Sequence, residues 1–277
     1  MPNHSQTISQ SLVEWFGNCK FAVVAFSGGV DSSVVAYLAN RLLGSERTVS
    51  VIADSPSLKR NDLEEAMAFC RRHEIPLKII RTREIDNPDY FRNPSNRCFF
   101  CKHSLYTELQ AIAAEFTESW IVNGTNADDL GDYRPGLKAA DEFRVYSPLA
   151  ACGVSKDAVR KLALEHGLEC WDKPASPCLS SRIAYGQPVT REKLRQIEDA
   201  ETLLNRMGFP VVRFRHYGSE GRIEVPTEEL PRLRDAFRCL EPSIRSLGFE
   251  RVTLDEEGFV SGKLNRAIGR AVVKRQP

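Results

Sequence analysis

Short apolar runs alternate with amphipathic stretches through the first half of the chain. Residues 21–26 (FAVVAF), 48–53 (TVSVIA), 77–80 (LKII) and 120–122 (WIV) read as strands. Between them, residues 34–39 read as the start of a helix. Residues 63–72 carry Leu63, Ala66, Met67 and Cys70 at helical spacing, and residues 105–116 read as a further helix. Strands that alternate with helices imply a parallel, doubly wound sheet. The pattern changes near Tyr185-Gly186-Gln187-Pro188. Beyond it lie a helix over 190–207 capped by Thr190, strands at 211–216 and 222–225, helical runs over 227–247 and a last strand at 251–254. The pattern therefore predicts an α/β domain over 1–186, Rossmann-like in its sheet, and a smaller C-terminal α+β domain over 187–277.

The junction after the first strand carries the sharpest signal, Ser27-Gly28-Gly29-Val30-Asp31-Ser32-Ser33. A glycine turn between a strand and a helix start presents backbone N–H groups and a positive helix end to phosphate. Gly28 and Gly29 permit a tight turn and close approach. Ser32 and Ser33 can donate hydroxyls or cap the helix. Asp31 is an anion where phosphate would sit, which makes sense if it holds a divalent cation. The plainer reading is a serine-capped turn. Neither G-x-x-x-x-G-K-[ST] nor G-x-G-x-x-G occurs here, so this is neither a Walker A loop nor a dinucleotide fingerprint.

Composition narrows the partners. The 277 residues are 42% hydrophobic and 27% charged, with a formal net charge of +1. That is ordinary for a globular chain and gives no basic face for nucleic acid. The Lys274-Arg275 pair reads as a solvated tail. The polar N-terminus shows no secretory signal, and no run of about 18 apolar residues predicts a membrane span. Eight irregularly spaced cysteines fit a reducing, cytoplasmic setting better than a disulfide framework.

Other constellations could carry chemistry. Asp54-Ser55 and Asn123-Gly124-Thr125 follow predicted strands, where open α/β sheets bind ligands. Asp128, Asp129, Asp132 and Arg134 come next, as a metal or phosphate loop or as plain turn chemistry. Cys98-x-x-Cys101 can chelate a metal, hold part of an iron–sulfur cluster or cycle as a dithiol. Cys178, between two prolines and Arg182, is a candidate third thiol; the alternative is an incidental loop cysteine. Cys19, Cys70, Cys152, Cys170 and Cys239 read as core residues. On the strand at 211–216, alternation puts Arg213 and Arg215 on one face, with Arg222 and Glu224 on its neighbour. These could hold a phosphorylated substrate or form a salt-bridged surface.

SGGVDSS looks like the PP-loop of ATP pyrophosphatases of the adenine nucleotide alpha hydrolase type. With ADSPSL, NRCFFCK, NGTNADDLGDYRPG, SPLA, WDKPASPCLSSRI, HYGSEGRIEVP and TLDEEGFVSGKLN in order, the chain resembles the ATP-dependent sacrificial sulfur transferases of the LarE family. The resemblance implies adenylation of a carboxylate of pyridinium-3,5-biscarboxylic acid mononucleotide, with Mg²⁺ and loss of pyrophosphate. A sulfur nucleophile then displaces AMP. Two rounds give the bis-thiocarboxylate precursor of the nickel-pincer nucleotide used by lactate racemase. The resemblance implies nucleotide contacts from Ser27, Gly28, Gly29, Asp31, Ser32, Ser33, Asp54, Ser55, Gly124, Thr125 and Asp128, with Asp31 and Cys178 catalytic.

The family divides by sulfur source. In one form a lone cysteine at the Cys178 position gives up its own sulfur and becomes dehydroalanine. In the other, three cysteines hold a [4Fe-4S] cluster. Cys98 and Cys101 beside Cys178 favour the cluster form here. The resemblance also implies a substrate-phosphate contact from Arg213 or Arg215, a metal site at Glu201 and Glu224, and a homo-oligomer, commonly a hexamer. Pro177 stands where family members carry a small residue. Other readings are a PP-loop tRNA thiolase, an ammonia-using amidotransferase of the NAD or GMP synthetase type, and an ATP-binding regulatory module.

Overall fold

A computed structural model describes residues 4–131, 135–260 and 263. The chain runs α1 (His4–Gly17), β1 (Phe21–Ala25), α2 (Val30–Leu43), β2 (Thr48–Ala53), α3 (Arg60–Arg72) and β3 (Leu77–Ile80). It continues with α4 (Pro88–Phe91), α5 (Arg97–Ala113), β4 (Ser119–Val122), α6 (Pro135–Glu142), α7 (Pro148–Ala151) and α8 (Lys156–Glu165). Last come α9 (Arg191–Arg206), β5 (Arg213–Tyr217), β6 (Glu220–Glu224), α10 (Leu230–Arg245) and β7 (Arg251–Leu254). Asp132, Arg134 and the Lys274-Arg275 pair lie outside the described residues.

Two compact units divide the chain. The first comprises residues 1–84 and 98–176, the second residues 85–97 and 177–277. The boundary read from the sequence, after Gly186, falls inside the second unit.

The first unit is a parallel sheet in the order β3-β2-β1-β4. Val23 pairs with Val49 on one side and Ile121 on the other, and Ile52 pairs with Ile79. The central strand is buried on both faces, Val24 and Phe26 joining one layer and Val23 and Ala25 the other. This is why it reads as an unbroken apolar run rather than an alternating one. Val34, Val35, Leu38 and Ala39 of α2 pack on the first of these layers with Phe69 and Cys70 of α3. The chain steps outward from β1 to β3, then returns to place β4 on the other side of β1. The loops after β1 and β4 therefore leave in opposite directions and open a crevice at their carboxyl ends.

The second unit holds a sheet ordered β5-β6-β7, the first pair antiparallel and the second parallel. Thr190 caps α9 by accepting from the Lys193 N–H at 3.2 Å. Leu194, Ile197, Ala200 and Leu204 form its buried stripe. Of the two readings of the arginine face, the exposed salt-bridged surface does not hold. Arg213, Phe214, Arg215 and His216 are all buried.

Two further expectations change. The helix expected over 105–116 starts at Arg97, so Cys98 and Cys101 lie in its first turns. Cys239 is exposed rather than core, because α10 turns Leu233, Leu240 and Ile244 inward and its neighbour away. Cys152 is half-buried, while Cys19, Cys70 and Cys170 are buried as expected.

Candidate functional site

The PP-loop is built by its own hydroxyls. Ser32 Oγ accepts from the Ser27 N–H at 3.1 Å, lies 2.9 Å from Ser27 Oγ and donates to the Gly29 carbonyl at 3.1 Å. Ser32 thus ties the loop to the first turn of α2 instead of capping the helix. The cap residue is Gly29, and no side chain caps the helix there. The first N–H groups of α2 have no intrahelical acceptor by geometry, which leaves a positive helix end aimed at the crevice. Ser33 is buried and begins the helical ladder through its N–H to Gly29 O at 2.9 Å.

Two glycines are required by space. Gly28 has φ +73°, and a Cβ there would lie 2.9 Å from Ala66 Cβ. A Cβ on Gly124 would lie 2.6 Å from Ser32 N and 2.8 Å from Asp31 C. The loop after β4 therefore rides directly on the N-terminus of α2, joining Gly124 and Thr125 to the PP-loop as the sequence suggests.

Asp31 sits in this crevice and accepts from Asn126 Nδ2 at 3.1 Å. Burial raises its carboxyl above the ordinary range; Asp129 pushes the same way, Asn126 and Lys156 the other. A half-buried carboxylate with another acid beside it gains from a cation. Mg²⁺ needs only one or two carboxylates plus phosphate oxygens and water, so the residues fit that ion. Asp128 has a further role: its Oδ2 accepts from the Lys156 N–H at 2.8 Å, at the start of α8. Asn123 Oδ1 accepts from Thr125 N at 3.0 Å and Ser147 Oγ at 2.8 Å, fixing the loop from below.

Asp54 and Ser55 close the far side. Asp54 is ion-paired to Arg60, whose Nη2 also donates to the carbonyls of Ser55 at 2.9 Å and Leu58 at 2.8 Å. Ser55 Oγ lies 2.9 Å from Ser57 Oγ. Lys173 reaches the PP-loop itself, its Nζ donating to Gly28 O at 3.4 Å while it pairs with Glu65 at 2.8 Å and Asp62 at 3.4 Å. Arg60, Asn126 and Lys173 escape the sequence reading. Lys173 and Asn126 stand in motifs it singles out, but nothing in the sequence marks Arg60.

The second unit holds a different chemistry. Cys178 is exposed at the head of a 3-10 turn over Leu179–Arg182. The fully buried Arg182 guanidinium donates to Cys178 O at 3.1 Å and also to Pro177 O. Its other edge meets Glu201: Nε to Oε1 at 2.9 Å and Nη2 to Oε2 at 3.3 Å. Glu201 Oε1 also accepts from Phe214 N at 3.0 Å. Arg215 Nη1 donates to Ser181 O at 2.8 Å, and its Nη2 lies 2.8 Å from Glu224 Oε2. Lys263 Nζ is 3.7 Å from Glu224 Oε1. The Glu224 contacts are ionic rather than well-directed hydrogen bonds. Arg213 lies over the Phe259 ring at 5.1 Å. Burial, with Arg182 and Arg215 close by, pulls its pKa down to about 10. Such crowded cations favour an anion, and two of them are anchored to the turn that bears Cys178.

Metal sites are less complete. Glu201 and Glu224 stand as counter-ions of buried arginines. Among the described residues no group of three or more His, Cys, Asp or Glu is gathered as for a metal ion. Cys98 and Cys101 lie one turn apart on α5 in the first unit, and Cys178 belongs to the second. Among the described residues no gathered donor set supports the expected three-thiol iron–sulfur site. No described helix is long and apolar enough to cross a membrane.

Comparison with known proteins adds the lineage. A family model for NAD synthase matches residues 4–92, which contain the PP-loop. An uncharacterised protein of Synechocystis sp. is 43% identical over 261 residues, 94% of this chain and 97% of that protein. An uncharacterised protein of Methanocaldococcus jannaschii is 26% identical over 92% of this chain and 96% of its own length. Pyridinium-3,5-bisthiocarboxylic acid mononucleotide synthase of Lactiplantibacillus plantarum is 32% identical, and the match spans 96% of each chain. A PP-loop at the switch point of a parallel sheet, carried in a chain alike from end to end, places this protein in the LarE family of ATP-using PP-loop enzymes.

Proposed function

We propose that the protein is an ATP-dependent sulfur transferase that converts carboxylates of pyridinium-3,5-biscarboxylic acid mononucleotide to thiocarboxylates. One observation carries the step beyond ATP use: an exposed thiol, Cys178, on a turn whose carbonyls are held by Arg182 and Arg215. An amide-forming enzyme has no use for such a thiol.

A carboxylate oxygen is a poor leaving group, and AMP is a good one. The substrate carboxylate attacks the α-phosphorus of ATP, the α–β bond breaks, and pyrophosphate leaves with the electron pair. The Gly28–Gly29 backbone and the open end of α2 stabilise the charge that grows on pyrophosphate. Mg²⁺, held through Asp31, would supply further charge neutralisation there. Arg213 and Arg215 hold the substrate phosphate. The Cys178 sulfur, as thiolate, then attacks the acyl carbon and AMP departs. Loss of the Cys178 α-proton with cleavage of its Cβ–S bond leaves the thiocarboxylate and dehydroalanine.

The C-x-x-C pair on α5 favours a second form of this reading, in which Cys98 and Cys101 join Cys178 around a [4Fe-4S] cluster. Iron and acid-labile sulfide measured on anaerobic protein, native and Cys98→Ala, separate the two forms. Roughly four of each per chain, lost in the variant, supports the cluster; no iron after reconstitution leaves Cys178 as a single-use donor. The proposal includes a cytoplasmic setting, a homo-oligomer and a small-molecule rather than nucleic-acid substrate. The NAD synthase match favours ammonia-using amide formation as the competing reading. Under it, Cys178→Ala retains full activity.

A further inference from the structure

We infer that residues 85–97 are a clamp that sets the Cys178 turn, with Tyr90 and Arg97 as its positioning residues. The inference rests on the reading of Cys178 as the sulfur-bearing residue. This stretch belongs to the second unit, although the chain on both sides of it belongs to the first. Its contacts explain why. Tyr90, 1% exposed, brings its hydroxyl 2.6 Å from Ser180 Oγ. Arg97, 4% exposed, donates from Nη1 to Ser180 O at 2.8 Å and also to Asn93 Oδ1. Asn93 Nδ2 donates to Ala184 O at 2.8 Å, and the Asn93 carbonyl accepts from Gly186 N at 2.9 Å. Phe91 O accepts from Val189 N at 2.9 Å.

These bonds all fall just after Cys178, and the nearest is two residues from it. Asn93 holds φ +55°, a conformation asparagine tolerates better than most residues and that persists where the surroundings require it. Arg182 and Arg215 hold the carbonyls of Pro177, Cys178 and Ser181. The backbone beneath Cys178 is thus pinned by two independent sets of donors, while its side chain stays exposed. Buried hydrogen bonds of this kind fix a geometry more than they add stability. A thiol that must meet an acyl carbon in line needs that fixing.

The test uses the full chain as Tyr90→Phe, Arg97→Met and Arg97→Lys. Tyr90→Phe keeps the ring and removes only the hydroxyl, so the fold is retained. With ATP, Mg²⁺ and the mononucleotide, thiocarboxylate formation should fall about 10- to 100-fold in Tyr90→Phe and Arg97→Met. KM for ATP and pyrophosphate release should stay at the native level, and Arg97→Lys should restore part of the loss. Iodoacetamide labelling of Cys178, read on its peptide from about pH 6 to 9, should change rate in the same two variants. Unchanged labelling and unchanged thiocarboxylate formation overturn the clamp. So does parallel loss of pyrophosphate release and thermal stability, which marks a purely structural role. If Cys178→Ala still forms thiocarboxylate, the sulfur-donor reading fails, and the labelling result alone judges the clamp.

Discussion

Gly124→Ala probes the nucleotide crevice with a single methyl group. The added Cβ would stand 2.6 Å from Ser32 N and 2.8 Å from Asp31 C, whereas ordinary contact begins near 3.4 Å. The β4 loop and the α2 N-terminus must therefore part by almost an ångström. Both obstructing groups are backbone, so no side chain can swing away. Overpacking of this kind costs about 1–3 kcal/mol of stability. Misplacing a reacting group by about 1 Å costs on the order of 100-fold in rate. Here the displaced groups are Asp31 and the helix end that faces phosphate. Pyrophosphate release should thus fall by about that factor, with weaker ATP binding by calorimetry and a lower melting temperature. Gly131→Ala, in the same loop but with nothing within 4 Å of its Cβ, is the control and should behave as native. Native ATP binding and native pyrophosphate release in Gly124→Ala would refute the placement of nucleotide over this contact.

Other outcomes follow from the same geometry. Asp31→Asn should lower pyrophosphate release about 100-fold or more and yet raise the melting temperature at neutral pH, because burial already disfavours the Asp31 charge. Arg182→Met strands the buried Glu201 carboxylate and should cost about 3–5 kcal/mol in chemical denaturation; adding Glu201→Gln should recover part of it. His216 is held neutral. Gln196 gives its Nε2 to Leu247 O and therefore turns Oε1 to His216 Nε2, while His216 Nδ1 accepts from Gly218 N. Burial, helped by Lys193, pulls its pKa down to about 4. The unfolded chain then binds the extra proton first, so His216 contributes stability that is full above about pH 6.5 and is lost as pH falls toward 4. Melting curves across that window should flatten in His216→Gln.

Much of the first unit was legible because its signals are local. The apolar runs marked the four strands of the parallel sheet, and SGGVDSS falls at the junction of β1 and α2. Asp54, Gly124 and Thr125 lie just past the ends of β2 and β4, where the strand pattern put them. What stayed hidden depends on tertiary approach. Arg60 and Lys173 reach the site only through folding, and Lys173 meets Gly28 across most of the first unit's sequence. Alternation put Arg213 and Arg215 beside Arg222 and Glu224, as the register of β5 and β6 has it, but it could not show that both arginines are buried with Glu224 and near Glu201. The 85–97 excursion had no sequence signal, since its role lies in hydrogen bonds to Ser180 and Ala184 rather than in composition.

The most direct test is mass analysis of both partners after one turnover. Anaerobic protein is mixed with ATP, Mg²⁺ and pyridinium-3,5-biscarboxylic acid mononucleotide, beside the Cys178→Ala variant. The account predicts AMP, pyrophosphate and a thiocarboxylate from the native chain, and pyrophosphate with acyl-adenylate but no thiocarboxylate from the variant. An oxygen-only product from the native protein, or a variant that makes thiocarboxylate as fast as the native chain, would contradict it.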